Sequence, residues 1–165
     1  MLRSTSFFIF ILFLTWSYKA TTQVDSVTTK VLPGAFDSIQ FSIWNVQFKE
    51  ASLDGKEYMI ELDRKLLVDG DDLSIANALI NEPSYDYTRS MQNHFNLVFD
   101  FYLEGKIAAK VTISTMTGNV DISNKINKNY FRNNCSEKLN HLLIQLLEKY
   151  NFLHHLDEID LMGIK

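Results

Sequence analysis

The sequence predicts an α+β domain: an antiparallel sheet of about five strands built from hairpins, a C-terminal amphipathic helix packed on one face, and a short helix between the hairpins. Three observations carry this. Apolar residues alternate with polar ones in two pairs of segments, from Ser38 to Leu62 and from Phe95 to Ile113. Leu139, Leu142, Leu143, Leu146, Leu147 and Tyr150 recur at helical spacing and form one apolar stripe. Turn signals stand between the alternating runs: Asp54-Gly55, Glu104-Gly105 and Thr117-Gly118-Asn119.

The N-terminal residues read as an export signal. Arg3 is a positive start, Phe7 to Leu14 is an unbroken apolar run, and Thr15 and Ser17 are small residues with cleavage-site spacing. The run is shorter than the roughly 20 residues a membrane-spanning helix needs. Residues 1–17 are therefore assigned to a signal peptide, 18–32 to a polar, Thr-rich leader or edge segment, and 33–165 to a single α+β domain. The expected address is secreted or periplasmic. No cysteine stands in the signal region to take a lipid, so no stable membrane insertion is expected after cleavage.

Pro33-Gly34 marks a turn before the first strand. Ile39, Phe41 and Ile43 share one parity, and Trp44, Val46 and Phe48 take the other. A phase change of one residue predicts a β-bulge near Ile43-Trp44 or a strand buried on both faces there. Tyr58, Ile60 and Leu62 resume alternation after a loose loop and complete the first hairpin. Asp69-Gly70 then turns the chain into a helix. Asp71 or Asp72 is placed to cap it, Leu73, Ala76, Leu79 and Ile80 form its apolar face, and Pro83 ends it. Residues 84–93 are polar with two tyrosines and read as a long loop.

In the second hairpin Phe95, Leu97, Phe99 and Phe101 occupy one face, and Ile107, Ala109, Val111 and Ile113 occupy one face of the next strand. A two-residue loop would pair odd with even residues and turn one apolar set to solvent. A three-residue loop, Leu103-Glu104-Gly105, pairs Phe101 with Ile107 and Phe95 with Ile113, and is the expected register. Val120 and Ile122 form a short last strand. Asn134 with Glu137 resembles a capping box opening the Leu-rich helix, and Asn151 is placed to close it in the left-handed conformation. The tail from Phe152 reads as a docked strand or turn.

Composition bounds the chemistry. The chain has 165 residues, of which 46% are hydrophobic, enough for a core of its own. Sixteen basic and 20 acidic side chains leave a net charge of −4, a poor match to nucleic acid or anionic lipid. The single cysteine, Cys135, cannot close an internal disulfide, and its place on the helix stripe makes it a packing residue. His141 points away from the core. Adjacent His154 and His155 point to opposite sides of an extended chain and fit no metal motif. No phosphate loop, Gly-x-Ser-x-Gly, His-Glu-x-x-His or CxxC pattern is present. No catalytic residue, metal ligand or cofactor site is assigned.

The face opposite the phenylalanines carries His94, Asn96, Asp100, Lys110, Thr112 and Ser114, with Asp100 and Lys110 diagonally related. Tyr85 and Tyr87 from the adjoining loop extend this patch. These eight residues are the candidate binding surface. The expected function is non-catalytic binding of a protein or cell-surface component by a monomer or weak dimer. The alternatives are a small exported hydrolase on the polar face and a carrier with an apolar ligand between the helix and the Phe-rich strands.

Overall fold

The computed structural model describes residues 32, 36–48, 57–67, 70–86, 88, 94–126, 128 and 130–165. The elements run β1 (Ser38–Phe48), β2 (Glu57–Leu67), α1 (Gly70–Ile80), a 3₁₀ turn (Glu82–Ser84), β3 (Tyr85–Asp86), β4 (Leu97–Leu103), β5 (Lys106–Ile113), β6 (Asn119–Asn124), β7 (Tyr130–Cys135), α2 (Glu137–Lys149) and a second 3₁₀ turn (Leu153–His155). The fold is α+β. Among the described residues all the strand pairs are antiparallel, in one seven-stranded sheet ordered β2-β1-β4-β5-β6-β7-β3. The expected signal peptide lies outside the described residues. Of the expected leader only Leu32 is described, and it is buried in the core.

Most of the alternating residues of β1, β4, β5 and β6 pack as the sequence predicts, but Phe95 and Ile107 are only half-buried and Ile60 of β2 is 42% exposed. Phe41, Ile43, Leu97, Phe99, Phe101, Val111, Ile113 and Val120 are fully buried on one sheet face. Leu139, Leu143, Leu146 and Leu147 of α2 and Ile75, Ala76 and Leu79 of α1 close over it. Phe41 stacks on Phe99 with ring centroids 4.7 Å apart and meets Phe152 at 5.1 Å. These rings and leucines form one core between the helices and the strands.

The first bulge falls where the parity changes, between Ile43 and Trp44. Its extra residue is on the partner strand: Asp63 faces Ile43, Glu61 faces Trp44, and Leu62 is left over. Thus β1 keeps its phase, and Trp44 turns to the open face, where its indole N–H donates to Ser42 at 2.8 Å.

The second hairpin departs from its expected register. Phe101 pairs with Ala109 and Leu97 with Ile113, and the register shifts by one at Tyr102, which faces Ile107. The loop is the two-residue Glu104-Gly105, with φ of 51° and 70°, the positive pair that a tight primed turn needs. A bulge at Ala108 corrects the parity, so both apolar sets still share one face. The carboxylate of Asp37 accepts the Glu104 N–H and braces this turn.

Two strands lie where loop or coil was expected. Residues 130–135 form β7, and Tyr85–Asp86 pair with its end. Asn134 is therefore a strand residue. Its amide donates to the Thr117 carbonyl at 3.0 Å, and the N-cap of α2 is Ser136, whose hydroxyl accepts from Leu139 N at 3.3 Å. Cys135 ends β7, ahead of the helix stripe, and is buried.

Asn151 is left-handed with φ of 57°. Asn151 N bonds Glu148 O at 3.0 Å and Phe152 N bonds Leu147 O at 2.8 Å, which together close α2 as a Schellman motif. The tail then docks as turns, burying Leu161 and Ile164, with Gly163 N on Thr115 O at 2.8 Å. A Cβ at Gly163 would collide with the backbone of Thr117 and Gly118, so only glycine fits this crossing.

Asp72 sits in the first turn of α1 and is 1% exposed. It accepts from Lys149 Nζ at 2.8 Å and from the Tyr150 hydroxyl at 2.6 Å. An acid at one helix start thus meets a base at another helix end, and both charges oppose the local dipole. This clasp fixes α1 against α2 above the sheet.

Candidate functional site

The second face of the sheet carries no helix among the described residues. Register assigns its side chains. Arg64, Ser42, Val98, Thr112, Asp121 and Arg132 form one row across β2-β1-β4-β5-β6-β7. Leu66, Gln40, Asp100, Lys110, Ser123 and Tyr130 form the next. Strand alternation alone places them, so the patch is as rigid as the sheet beneath it.

Most charges on this face are paired. Asp100 lies directly opposite Lys110 rather than diagonally, because the true register is shifted from the expected one, and Lys110 Nζ stands 3.0 Å from Asp100 Oδ1. Asp121 accepts from the Tyr130 hydroxyl at 2.5 Å, and Arg132 Nε lies 3.6 Å from the same oxygen. The Arg132 guanidinium covers the Tyr130 ring at 4.5 Å. Desolvation, then the hydrogen bond to Asp121, raises the Tyr130 phenol above its ordinary value. Arg64 donates two bonds to Glu61. Such an array offers donors, acceptors and aromatic surface in fixed positions, with Asp100 and Asp121 each beside a cation.

The eight candidate residues separate into groups. Asp100, Lys110 and Thr112 stand together on the open face, and the Thr112 hydroxyl donates to Asp121 O at 3.3 Å. Asn96 is half-buried and structural: its amide donates to Thr115 Oγ1 at 2.7 Å and accepts from Thr115 N at 3.0 Å, clamping the β5–β6 turn. Ser114 is fully buried and offers no surface. Tyr85 is not on a loop; it is buried at β3, with its hydroxyl donating to Leu79 O at 2.5 Å at the end of α1. Burial pushes its phenol well above the usual value. Tyr87 lies outside the described residues.

His94 is at the margin of the open face, in a cleft of about 240 Å³ with Trp44, Asn45, Asn96, His155 and Asp160. Asp100 does not line this cleft. Burial, then the neighbouring His154, lowers the His155 imidazole below its ordinary value. A second, broader groove of about 1120 Å³ runs between the outer side of α2 and the tail, past Asp86, Glu137, His141 and Glu148. Burial raises the Cys135 thiol far above its ordinary value, and the side chain is buried. Among the described residues no cluster of three His, Cys, Asp or Glu side chains could hold a metal ion, and no helix is long and apolar enough to cross a membrane.

The residues not singled out from sequence are Asp121, Arg132, Arg64 and Trp44. Arg132 and Asp121 stay hidden because no alternation marks β7 as a strand, and without β7 they have no common face. Trp44 follows from the phase change itself once the extra residue is placed on β2. Comparison of the chain with protein-family models, with curated proteins and with solved structures found no match.

Proposed function

We propose that this chain is an exported, non-catalytic binding domain that recognises a protein partner through the open face of its sheet. The observation that carries the reading is the preordered Asp121–Tyr130–Arg132 array. Tyr and Arg are the residue types that dominate binding energy at protein interfaces. Here Tyr130 is 53% exposed, yet its hydroxyl and the guanidinium above it are already held in place. Side chains fixed before binding lose less entropy on association. Trp44 supplies a further group of the same kind on the same face. Export rests on residues 1–17, whose charge, apolar run and small residues match a cleaved signal.

The test is affinity capture with the mature protein from extracellular and envelope fractions of its native source, beside Tyr130→Ala and Arg132→Ala. The expected result is one stoichiometric protein that either substitution weakens by about tenfold or more. Undiminished capture by both variants, with folding intact, would remove the open face from the interaction. Hydrolytic turnover lost in His94→Ala would instead favour the hydrolase and move the site to the His94 cleft. Mature protein whose N-terminus falls within Phe7–Trp16, or that stays on membranes after a high-salt wash, would overturn export.

A further inference from the structure

The sheet ends differently at its two sides. One edge is β3, two residues long; the other is β2, eleven residues long. Among the described residues β2 has β1 on one side and no strand on the other. A long edge of unpaired backbone groups is a template for another strand.

The direction of those groups follows from the hydrogen bonding of β1. Trp44 N donates to Asn96 O, on the β4 side. Successive residues of a strand turn their backbone groups to opposite sides, so Gln40, Ser42, Trp44 and Val46 all serve the β4 side. Their partners on β2 are Leu66, Arg64, Glu61 and Met59. Those four therefore turn their N–H and C=O groups outward, where the Arg64 N–H is met by the carboxylate of its neighbour Asp63 at 2.6 Å, which a pairing strand would displace, and their side chains stand on the open face. The bulge at Leu62 makes the set symmetric, with Met59 and Glu61 on one side and Arg64 and Leu66 on the other.

We infer that β2 is a self-association edge, on which a second copy of this chain adds its own β2 antiparallel about a two-fold axis. In that arrangement Glu61 faces Arg64 of the other copy, Met59 faces Leu66, and both pairs occur twice because the interface is isologous. An unbulged strand cannot pair this way, since two-fold partners must then differ by an even number of residues. The bulge supplies the odd offset. The chemistry is self-complementary at these four positions: acid meets base, and Met59 and Leu66, 45% and 54% exposed, meet each other. Arg64 and Glu61 already bond within one copy, so pairing completes an alternating row of four charges. The edge is separate from the Asp121–Tyr130–Arg132 array and does not depend on what that array binds.

Sedimentation and light scattering of the purified protein over a concentration series test the assignment. Wild type is expected to dimerise reversibly. Glu61→Arg and Arg64→Glu each place like charges opposite each other and are expected to weaken the dimer by about tenfold or more. An equimolar mixture of the two variants restores opposite charges at both positions and is expected to recover the dimer. An intramolecular role for the pair cannot produce that recovery, because each variant has lost its own partner. Should either charge variant fail to fold by circular dichroism, Met59→Cys mixed with Leu66→Cys is the second arm: the mixture is expected to cross-link on oxidation and neither variant alone. A wild type that stays monomeric throughout, a mixture that does not recover, or cross-linking of Met59→Cys with itself would overturn the inference.

Discussion

The two faces of the sheet are made by the same strands, and they are stabilised in opposite ways. The helix-covered face is apolar and continuous: β1, β4, β5 and β6 each contribute two or more fully buried apolar side chains to it. The open face carries short polar links between neighbours, Asp100 to Lys110, Asp121 to Tyr130 and Arg132, and Trp44 to Ser42. Burial is non-directional and cumulative, so the covered face sets stability. Exposed ion pairs contribute little to stability, so the open face is free to be chosen for recognition. The contrast teaches where substitutions should hurt folding and where they should hurt binding.

The largest expected effect tests the covered face. Phe99 is fully buried and stacked on Phe41, so Phe99→Ala should destabilise by about 3–5 kcal/mol through lost transfer energy and the cavity left behind. Denaturant unfolding followed by circular dichroism measures this. A loss under about 1 kcal/mol would mean that the core collapses around the gap, and that the covered face is less closely packed than its ring contacts indicate.

Next in size is the clasp between the helices. Asp72→Ala should cost about 2–3 kcal/mol, since it removes two hydrogen bonds to a buried carboxylate, one of them from a cation. The lower end of the buried-pair range applies because the Lys149 side chain is 34% exposed and can rehydrate. Tyr150→Phe, which deletes one bond and keeps the ring, should cost less than Asp72→Ala. Equal losses for the two variants would show that the Lys149 bond adds nothing.

What sequence conveyed and what it hid follow the same division. The covered face was legible because alternation and helical spacing are written in single residues: Leu97, Phe99 and Phe101 must all be buried together, which leaves only one parity for their strand. The register of that hairpin was not legible, because parity can be satisfied by a longer loop or by a bulge, and Ala108 looks like any small residue. The bulge beside Trp44 was visible as a phase change, but a phase change does not say which strand holds the extra residue. On β7, Asn133, Asn134 and Cys135 carry little β propensity, and the strand exists because Phe131, Asn133 and Cys135 pack toward the core while Arg132 and Tyr130 reach Asp121. Asp72 was visible only as a cap, since its partners Lys149 and Tyr150 are distant in the chain. Tyr85 shows the same limit from the other side: a polar-looking stretch hid a ring that is buried under α1.

Smaller effects separate cap from strand at the start of α2. Ser136→Ala should cost about 1 kcal/mol through the lost bond to Leu139 N. Asn134→Ala removes the amide bond to Thr117 and should disturb the β5–β6 turn without fraying the helix, which amide hydrogen exchange can distinguish. Fraying of α2 in Asn134→Ala, with Ser136→Ala silent, would return the cap to Asn134.

The smallest expected effect on folding is on the open face itself. Lys110 is 37% exposed in its side chain, so solvent screens its attraction to Asp100, and Lys110→Ala should change stability by only about 0–1 kcal/mol. The Arg132 side chain is 57% exposed, and solvent screens it likewise. If both variants unfold near the wild-type midpoint while Arg132→Ala loses its partner, the open face is held for recognition and the covered face for stability. A loss of several kcal/mol in Lys110→Ala would mean that the polar links also support the fold, because Asp100, only 8% exposed, would then be a buried carboxylate stripped of its cation. The magnitude in this one variant therefore decides whether the division between the faces is a true separation of roles.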